Sequence, residues 1–273
     1  MRRPLSYLGV NIFLALAALA TLFPLAWMVS ASFMTAGEAS TYPPPMLPHA
    51  ATLANYRLLF AEHGIVRQAG NSLFISLLAT GLSLSFNLSA GYAFAKLRFK
   101  GRERVFRLLL GALVVPAQVT MMPLFLMLKE MRLVNTYVGA LVPWLASVFG
   151  IYLVRQYALT IPDEILEAAR MDGAGELRIF VLVVLPLLKP IVVTLAVLTF
   201  LGSWNDFMWP LIVLTDHHVQ TLPVALAALS REHVQDVELM MAGAVITVLP
   251  VLLLFLLLQR YYMQGLLVGS VKG

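Results

Sequence analysis

Long apolar segments alternate with shorter polar segments along the whole chain. A membrane-spanning helix requires roughly 20 mostly apolar residues. The segments that meet this requirement lie near residues 8–31, 70–95, 105–128, 137–158, 179–204 and 239–259. The pattern therefore predicts an all-α membrane protein, in which one transmembrane domain over residues 1–273 contains six transmembrane helices.

The first apolar segment follows the basic sequence MRRP and resembles a signal peptide in that respect. It continues through FPLAWMVSASF, however, and has no short apolar core that ends in a small-residue cleavage site. We therefore interpret it as a retained transmembrane helix, and six spans then place both termini on one side of the membrane.

Lys and Arg residues are distributed unequally between the two sides that six spans create. Fourteen lie on the side of the termini, and the other side has five: Arg57, Arg67, Lys129, Arg132 and Arg231. Because loops rich in Lys and Arg stay in the cytoplasm, both termini are predicted to be cytoplasmic. Residues 32–69 and 205–238 are then predicted to face outward.

Composition supports a membrane protein and excludes several kinds of site. The chain is 60% hydrophobic, and its mean hydropathy is +0.85. The absence of cysteine excludes disulfides, zinc–thiolate sites and thiol nucleophiles. The net charge of +5 is spread over short segments instead of one stripe, which argues against nucleic-acid binding. His217, His218 and His233 lack the spacing of zinc ligands and indicate a solvated loop.

The segment DEILEAARMDGAGELR is far more charged than the rest of the sequence. Seven of its sixteen residues are charged, whereas the whole chain is 12% charged. Residues 160–178, which we name the charged loop, are predicted to form a short helix with Thr160 as a possible N-cap and Pro162 in its first turn. The DGAG sequence predicts a tight turn, after which a second helix enters the bilayer.

The first helix of the charged loop has an apolar stripe. Ile161, Ile165, Ala168 and Ala169 recur at spacings of three and four residues. A shallow apolar stripe flanked by charges is typical of a helix that binds in a groove of another protein. The alternative is an ordinary interfacial helix between two spans.

The charged loop resembles a known family signature. Glu167-Ala168-Ala169, three residues, Gly173, nine residues, Val183, one residue and Leu185-Pro186 resemble the E-A-A-x3-G-x9-I-x-L-P signature of permease subunits of ATP-binding-cassette (ABC) importers. Only the isoleucine position departs from the signature. The segments GYAFAKLRFKGR, FLGSWNDFMWPLIVL and QRYYMQGLLVGSVKG are similar to the carbohydrate, maltose-transporter-like branch of these permeases.

The resemblance implies a type I ABC importer permease in the bacterial inner membrane, with a coupling helix in the charged loop. The implied partners are a second homologous permease, two ATPase subunits that bind ATP and Mg, and an extracytoplasmic solute-binding protein that delivers a carbohydrate. No phosphate-binding loop occurs in the sequence, so neither cofactor nor enzyme activity is expected in this chain. The implied ATPase-coupling residues are Glu167, Ala168, Ala169, Asp172, Gly173, Leu185 and Pro186.

The segment SWNDFMWP at the end of the fifth predicted span contains candidate substrate contacts. Aromatic rings stack on the apolar faces of sugars, and amides and carboxylates bind sugar hydroxyls. Trp204, Asn205 and Asp206 are therefore candidates for the substrate pathway, whereas Trp209 fits an interfacial aromatic belt.

Three functional classes are alternatives to a carbohydrate permease of an ABC importer. A permease for another small solute, such as glycerol 3-phosphate, would share the same architecture. An ion-driven secondary transporter is expected to show intramembrane acids or inverted repeats, and the predicted spans contain neither Asp nor Glu. A membrane enzyme is disfavoured because no nucleophile, base or metal constellation occurs.

Overall fold

The computed structural model describes residues 4–232 and 236–268, and side chains within residues 9–230 and 236–257. Arg2, Arg3, His233 and the final GSVKG sequence, which includes Lys272, lie outside the described residues. The predictions that involve them, including part of the charge asymmetry and the glycine-rich tail, are therefore outside the described structure.

The described residues form helices and contain no β-strand. A 3-10 turn at Val142–Trp144 and a π-helical segment at Phe180–Val184 join neighbouring helices. The α-helices are α1 Pro4–Ala31, α2 Ala54–Ala61, α3 Ile65–Lys96, α4 Arg102–Ala112, α5 Ala117–Glu130, α6 Tyr137–Leu141, α7 Val148–Leu159, α8 Asp163–Met171, α9 Glu176–Ile179, α10 Leu185–Leu187, α11 Lys189–Trp204, α12 Met208–Val213, α13 Leu222–Glu232 and α14 Val237–Val268.

Helices sufficiently long and apolar to span a membrane coincide with the six predicted segments. Helices α1, α3 and α14 each contain one continuous candidate span. The other three candidates are bent pairs: α4 with α5 at 101°, α6 and the 3-10 turn with α7 at 44°, and the segment Glu176–Leu187 with α11 at 81°. The six-span, all-α prediction is confirmed on the reading that each bent pair is one span.

Prolines lie close to the bends. Pro116 has an extended backbone and precedes α5 directly, and Pro190 lies in the first turn of α11, where its missing N–H is tolerated. The sequence predicts a kink in the third span beside Pro116 and Pro123. The break occurs at Pro116, whereas Pro123 lies within α5.

The chain divides into two compact units, which we describe separately. The first contains residues 1–67 and 222–250, and the second contains residues 68–221 and 251–273. The single transmembrane domain over residues 1–273 stays a prediction.

In the first unit, polar side chains hold the segment that follows α1. Asn55 is buried and donates hydrogen bonds to the carbonyl oxygens of Ser32 and Met34. The backbone N–H groups of His49 and Thr35 donate to Glu38 and lower the pKa of its carboxyl to about 2. Charge-assisted hydrogen bonds therefore order this segment.

A buried carboxylate lies at the start of α14 in the same unit. Glu238 is fully buried, and its Oε1 accepts a hydrogen bond from the Ala39 N–H at 2.6 Å. The prediction that the spans lack Asp and Glu is wrong here, because α14 begins at Val237 and the candidate span includes Glu238.

In the second unit, α3 packs closely on α7. Asn87 is buried, and its Oδ1 accepts a hydrogen bond from the Ser147 N–H at 2.9 Å. A Cβ at Gly150 would lie 2.5 Å from Nδ2 of Asn87, and a Cβ at Gly91 would lie 2.5 Å from Cβ of Val154. Both glycines are therefore required by close approach.

Candidate functional site

The helix of the charged loop begins after a proline. Pro162 has an extended backbone, and Asp163 and Glu164 occupy the first turn of α8, where the helix dipole favours acidic residues. The Thr160 N-cap prediction is wrong: Thr160 ends α7, and its hydroxyl donates to the Tyr157 carbonyl at 2.7 Å. Because Pro162 fixes the chain in an extended conformation before α8, Thr160 is too far back to cap it.

The turn predicted from DGAG is present. Asp172 ends α8, and Gly173 has a φ of +82°. The Gly173 N–H donates to the Arg170 carbonyl, and the Ala174 N–H donates to the Ala169 carbonyl. Residues with a Cβ resist this φ, so Gly173 sets the corner between α8 and α9.

The N-terminal end of α8 is fixed to the end of α3. Nζ of Lys96 donates to the Ile161 carbonyl at 2.6 Å and to the Asp163 carboxylate. The Lys96 side chain is 6% exposed, whereas that of Asp163 is 72% exposed. The Lys96 hydrogen bond holds the pKa of the Asp163 carboxyl below its ordinary value. The buried bond to the carbonyl therefore anchors α8 more firmly than the solvated ion pair.

The far end of the charged loop is fixed to the same helix. Glu176 accepts a hydrogen bond from the Tyr92 hydroxyl at 3.0 Å and another from Nε of Arg170 at 2.8 Å. The bond from Arg170 crosses the glycine turn, and the Glu176 carboxylate raises the pKa of the Arg170 guanidinium. Because Tyr92 and Lys96 are one helical turn apart on α3, that helix holds both α8 and α9, on either side of the glycine turn.

One side of α8 faces the protein core and the other is exposed. Leu166 is 1% exposed and packs in a cluster with Val154, Ile179 and Leu195, with Ala169 half-buried beside it. The outer face of α8 is formed by exposed residues: Glu164, Ile165, Glu167, Ala168 and Met171. The prediction that these four residues share one apolar face is therefore wrong. Ile161 and Ala169 turn inward, whereas Ile165 and Ala168 turn outward.

The last two coupling candidates lie between the charged loop and the bend of the fifth span. Leu185 packs against the core cluster, and Pro186 is exposed in α10. The π-helical segment Phe180–Val184 precedes them, and the 81° bend follows at Leu188. The structure therefore places Leu185 and Pro186 next to the bend of this span, away from the outer face of α8.

The three substrate candidates occupy different environments. Trp204 is 2% exposed and stacks on Phe200, and Asn205 is exposed and donates to the Leu201 carbonyl of its own helix. Asp206 is half-buried and lines a cavity of about 330 Å³. Of the three, only Asp206 reaches this space, which we name the Asp206 cavity.

Sequence reasoning missed most of the Asp206 cavity. Its lining also includes Thr120, Met121, Trp144 and Gly202, which come from three separate spans. Trp209 is also a lining residue, but its indole N–H donates to the Gly139 carbonyl at 3.0 Å. Spacing along the chain gives no signal for this cluster, because only the bends of the spans bring its members together.

Residues 87–268 match the family described as "Binding-protein-dependent transport system inner membrane component". This match covers more than half of the chain. The chain belongs to this family of permeases. The family resemblance and the inner-membrane, multi-pass location predicted from the sequence are thereby confirmed.

Relatives of this permease are similar over nearly their whole length. The arabinooligosaccharides transport system permease protein AraQ of Halalkalibacterium halodurans is 39% identical over 262 residues, which cover 95% of this permease and 94% of AraQ. The lactose transport system permease protein LacG of Rhizobium radiobacter is 34% identical, and the match covers 95% of this permease and 94% of LacG.

A solved structure has the same fold as this permease. It is a bacterial ABC transporter involved in the import of the acidic polysaccharide alginate, and one of its chains matches with a TM-score of 0.84 at 24% identity. The match covers 96% of this permease and 98% of that chain. The likeness confirms the predicted type I permease fold.

Proposed function

We propose that this permease forms, with a second homologous permease, the alternating-access pathway of an ABC importer for carbohydrate. A solute-binding protein delivers the sugar from outside, and two ATPase subunits, which bind ATP and Mg, supply the energy. The sugar-transport names of AraQ and LacG support the substrate class. The family match favours an importer of this kind over an ion-driven transporter or an enzyme.

The charged loop is the proposed docking element for an ATPase subunit. One observation carries this proposal: α8 is anchored on its inner side by Leu166, whereas its outer face carries Glu167 and Ala168 of the family signature in exposed positions. An exposed, charged face on an anchored helix suits a groove in another protein, and its charges fix the orientation of docking. Asp172 and Gly173 set the direction of the helix.

The anchors of α8 explain how docking acts on the pathway. Lys96 and Tyr92 fix both arms of the charged loop to α3, and α9 continues through Leu185 and Pro186 towards the bend of the fifth span. A displacement of α8 is therefore passed on as a rigid-body movement instead of being absorbed by a loose loop. In this arrangement both termini and the charged loop are cytoplasmic.

Charge reversal on the outer face tests the docking role. In Glu167→Lys, a basic side chain replaces an acidic one at the proposed groove, and in Gly173→Asp, a side chain is forced into a positive-φ turn. Both variants are expected to insert and pair with the second permease, yet to co-purify poorly with the ATPase and to fail in transport.

Two control variants make this test specific. Glu130→Lys reverses an exposed glutamate at the end of α5, and Asn205→Ala removes a substrate candidate. Both are expected to retain the ATPase at matched membrane abundance. Full retention of the ATPase by Glu167→Lys and Gly173→Asp would show that the charged loop is not the docking element but an ordinary interfacial helix.

A further inference from the structure

The Asp206 cavity lies among three bent spans. Thr120 and Met121 belong to α5, Trp144 ends the 3-10 turn before α7, and Gly202 and Asp206 lie at the end of the fifth span. Its volume of about 330 Å³ is at the lower end of the roughly 300–1,000 Å³ range of small-molecule sites. The cavity therefore has room for a small polar ring.

The indole ring of Trp144 is positioned by a glycine. A Cβ at Gly202 would lie 2.8 Å from Cη2 and 2.9 Å from Cζ3 of Trp144. Only glycine at this position allows the ring to lie directly against α11. Trp144 and Asp206 both line the cavity, and both residues are half-buried. The aromatic surface of the cavity is therefore held in a fixed orientation.

The Asp206 carboxylate has acceptor capacity for a ligand. The backbone N–H of Trp209 donates a hydrogen bond to Oδ1 of Asp206 at 3.3 Å. A carboxylate offers about four acceptor sites, so this hydrogen bond leaves capacity for sugar hydroxyls.

We propose that the Asp206 cavity is a sugar subsite within this subunit, where one sugar ring stacks on Trp144 and donates a hydroxyl hydrogen to Asp206. The inference rests on the proposed function, which leaves open which permease contacts the sugar. A fixed aromatic surface beside a carboxylate matches a ring with one apolar face and several hydroxyls. It does not match an anion, which the carboxylate would repel.

The lack of cysteine in the natural sequence makes a direct test possible. In the assembled complex, Thr120→Cys places one thiol of this chain in the Asp206 cavity, and His217→Cys places one in an exposed loop outside it. The rate of maleimide labelling of this chain is measured without ATP or binding protein. The solutes added as candidate ligands are arabinotriose, lactose, raffinose and glycerol 3-phosphate.

The expected result is protection of position 120 by a sugar. Because one site follows 1 + [L]/Kd, a sugar at about ten times its Kd slows labelling of Thr120→Cys roughly tenfold, and labelling of His217→Cys is unchanged. Adding Gly202→Ala displaces Trp144 and abolishes the protection. The matched control Gly81→Ala retains it, because open space surrounds a Cβ at Gly81.

Several results would overturn the inference. An unreactive Thr120→Cys would mean that lipid or the partner permease fills the cavity. Labelling that no sugar slows, or that only glycerol 3-phosphate slows, would also contradict it. Sugar-stimulated ATPase activity of the same complex is measured in parallel with binding protein. That activity without protection refutes the subsite alone, whereas its absence contradicts the proposed function.

Discussion

Replacing Lys96 by methionine removes the cation that anchors α8 and keeps a side chain of similar length. The Ile161 carbonyl then loses its donor in a place where Ile161 is 6% exposed. A buried acceptor without a partner costs about 1–3 kcal/mol. If ATPase docking requires the anchored position of α8, that cost is subtracted from the docking free energy. A loss of about 2 kcal/mol corresponds to a roughly 30-fold weaker Kd.

The assay is a titration of the assembled permease pair in nanodiscs with fluorescently labelled ATPase subunit, read by anisotropy. Lys100→Met is the matched control, because Lys100 is exposed in the same basic segment. Asp163→Asn is expected to weaken docking much less than Lys96→Met, since Asp163 is largely solvated. Equal effects of Lys96→Met and Asp163→Asn, or no effect of Lys96→Met, would refute the assignment of the carbonyl bond as the main anchor.

Three further predictions concern Asp163, Leu166 and the membrane topology. Lys96 lowers the pKa of Asp163 in the fold, so the stabilisation from ionised Asp163 is present above its ordinary pKa of about 3.9 and is lost as the pH falls through the lowered value. Between neutral pH and a pH below about 4, docking should therefore weaken more in the wild type than in Asp163→Asn. Leu166→Ala should cost about 2–5 kcal/mol of unfolding free energy in thermal or denaturant unfolding, whereas the neighbouring Ile165→Ala, which is 41% exposed, should cost much less. A reporter fused after Gly273 should be active only if it works in the cytoplasm, and activity of a periplasmic reporter there would contradict the proposed topology.

The parts of the fold that depend on average properties or on a single residue were predictable. Six spans follow from hydropathy summed over about 20 residues, and the corner at Gly173 follows from the freedom of glycine at positive φ. The bend at Leu188 has no proline at the break itself, although Pro186 and Pro190 flank it. The flanking prolines permit a bend at several positions, and packing between spans determines which of these positions is used.

The orientation of individual side chains was less predictable, because it depends on neighbours that are distant in sequence. Ile165 and Leu166 are adjacent and equally apolar, and the position of α3 and α11 against α8 decides that Leu166 is buried. The signature residue Ala169 turns inward for the same reason. Likewise, Trp144 and Asp206 line the same cavity although 62 positions of sequence separate them. Helical periodicity carries no information over that separation.

The contact between α3 and α7 also restricts how this permease can diverge. Gly150 can gain a side chain only if Asn87 becomes smaller at the same time, because the two occupy the same space. A smaller residue at position 87 would in turn deprive the Ser147 N–H of its acceptor. Substitutions at positions 87 and 150, which lie on two spans, are therefore coupled, and over evolution these two positions should change together or remain fixed together.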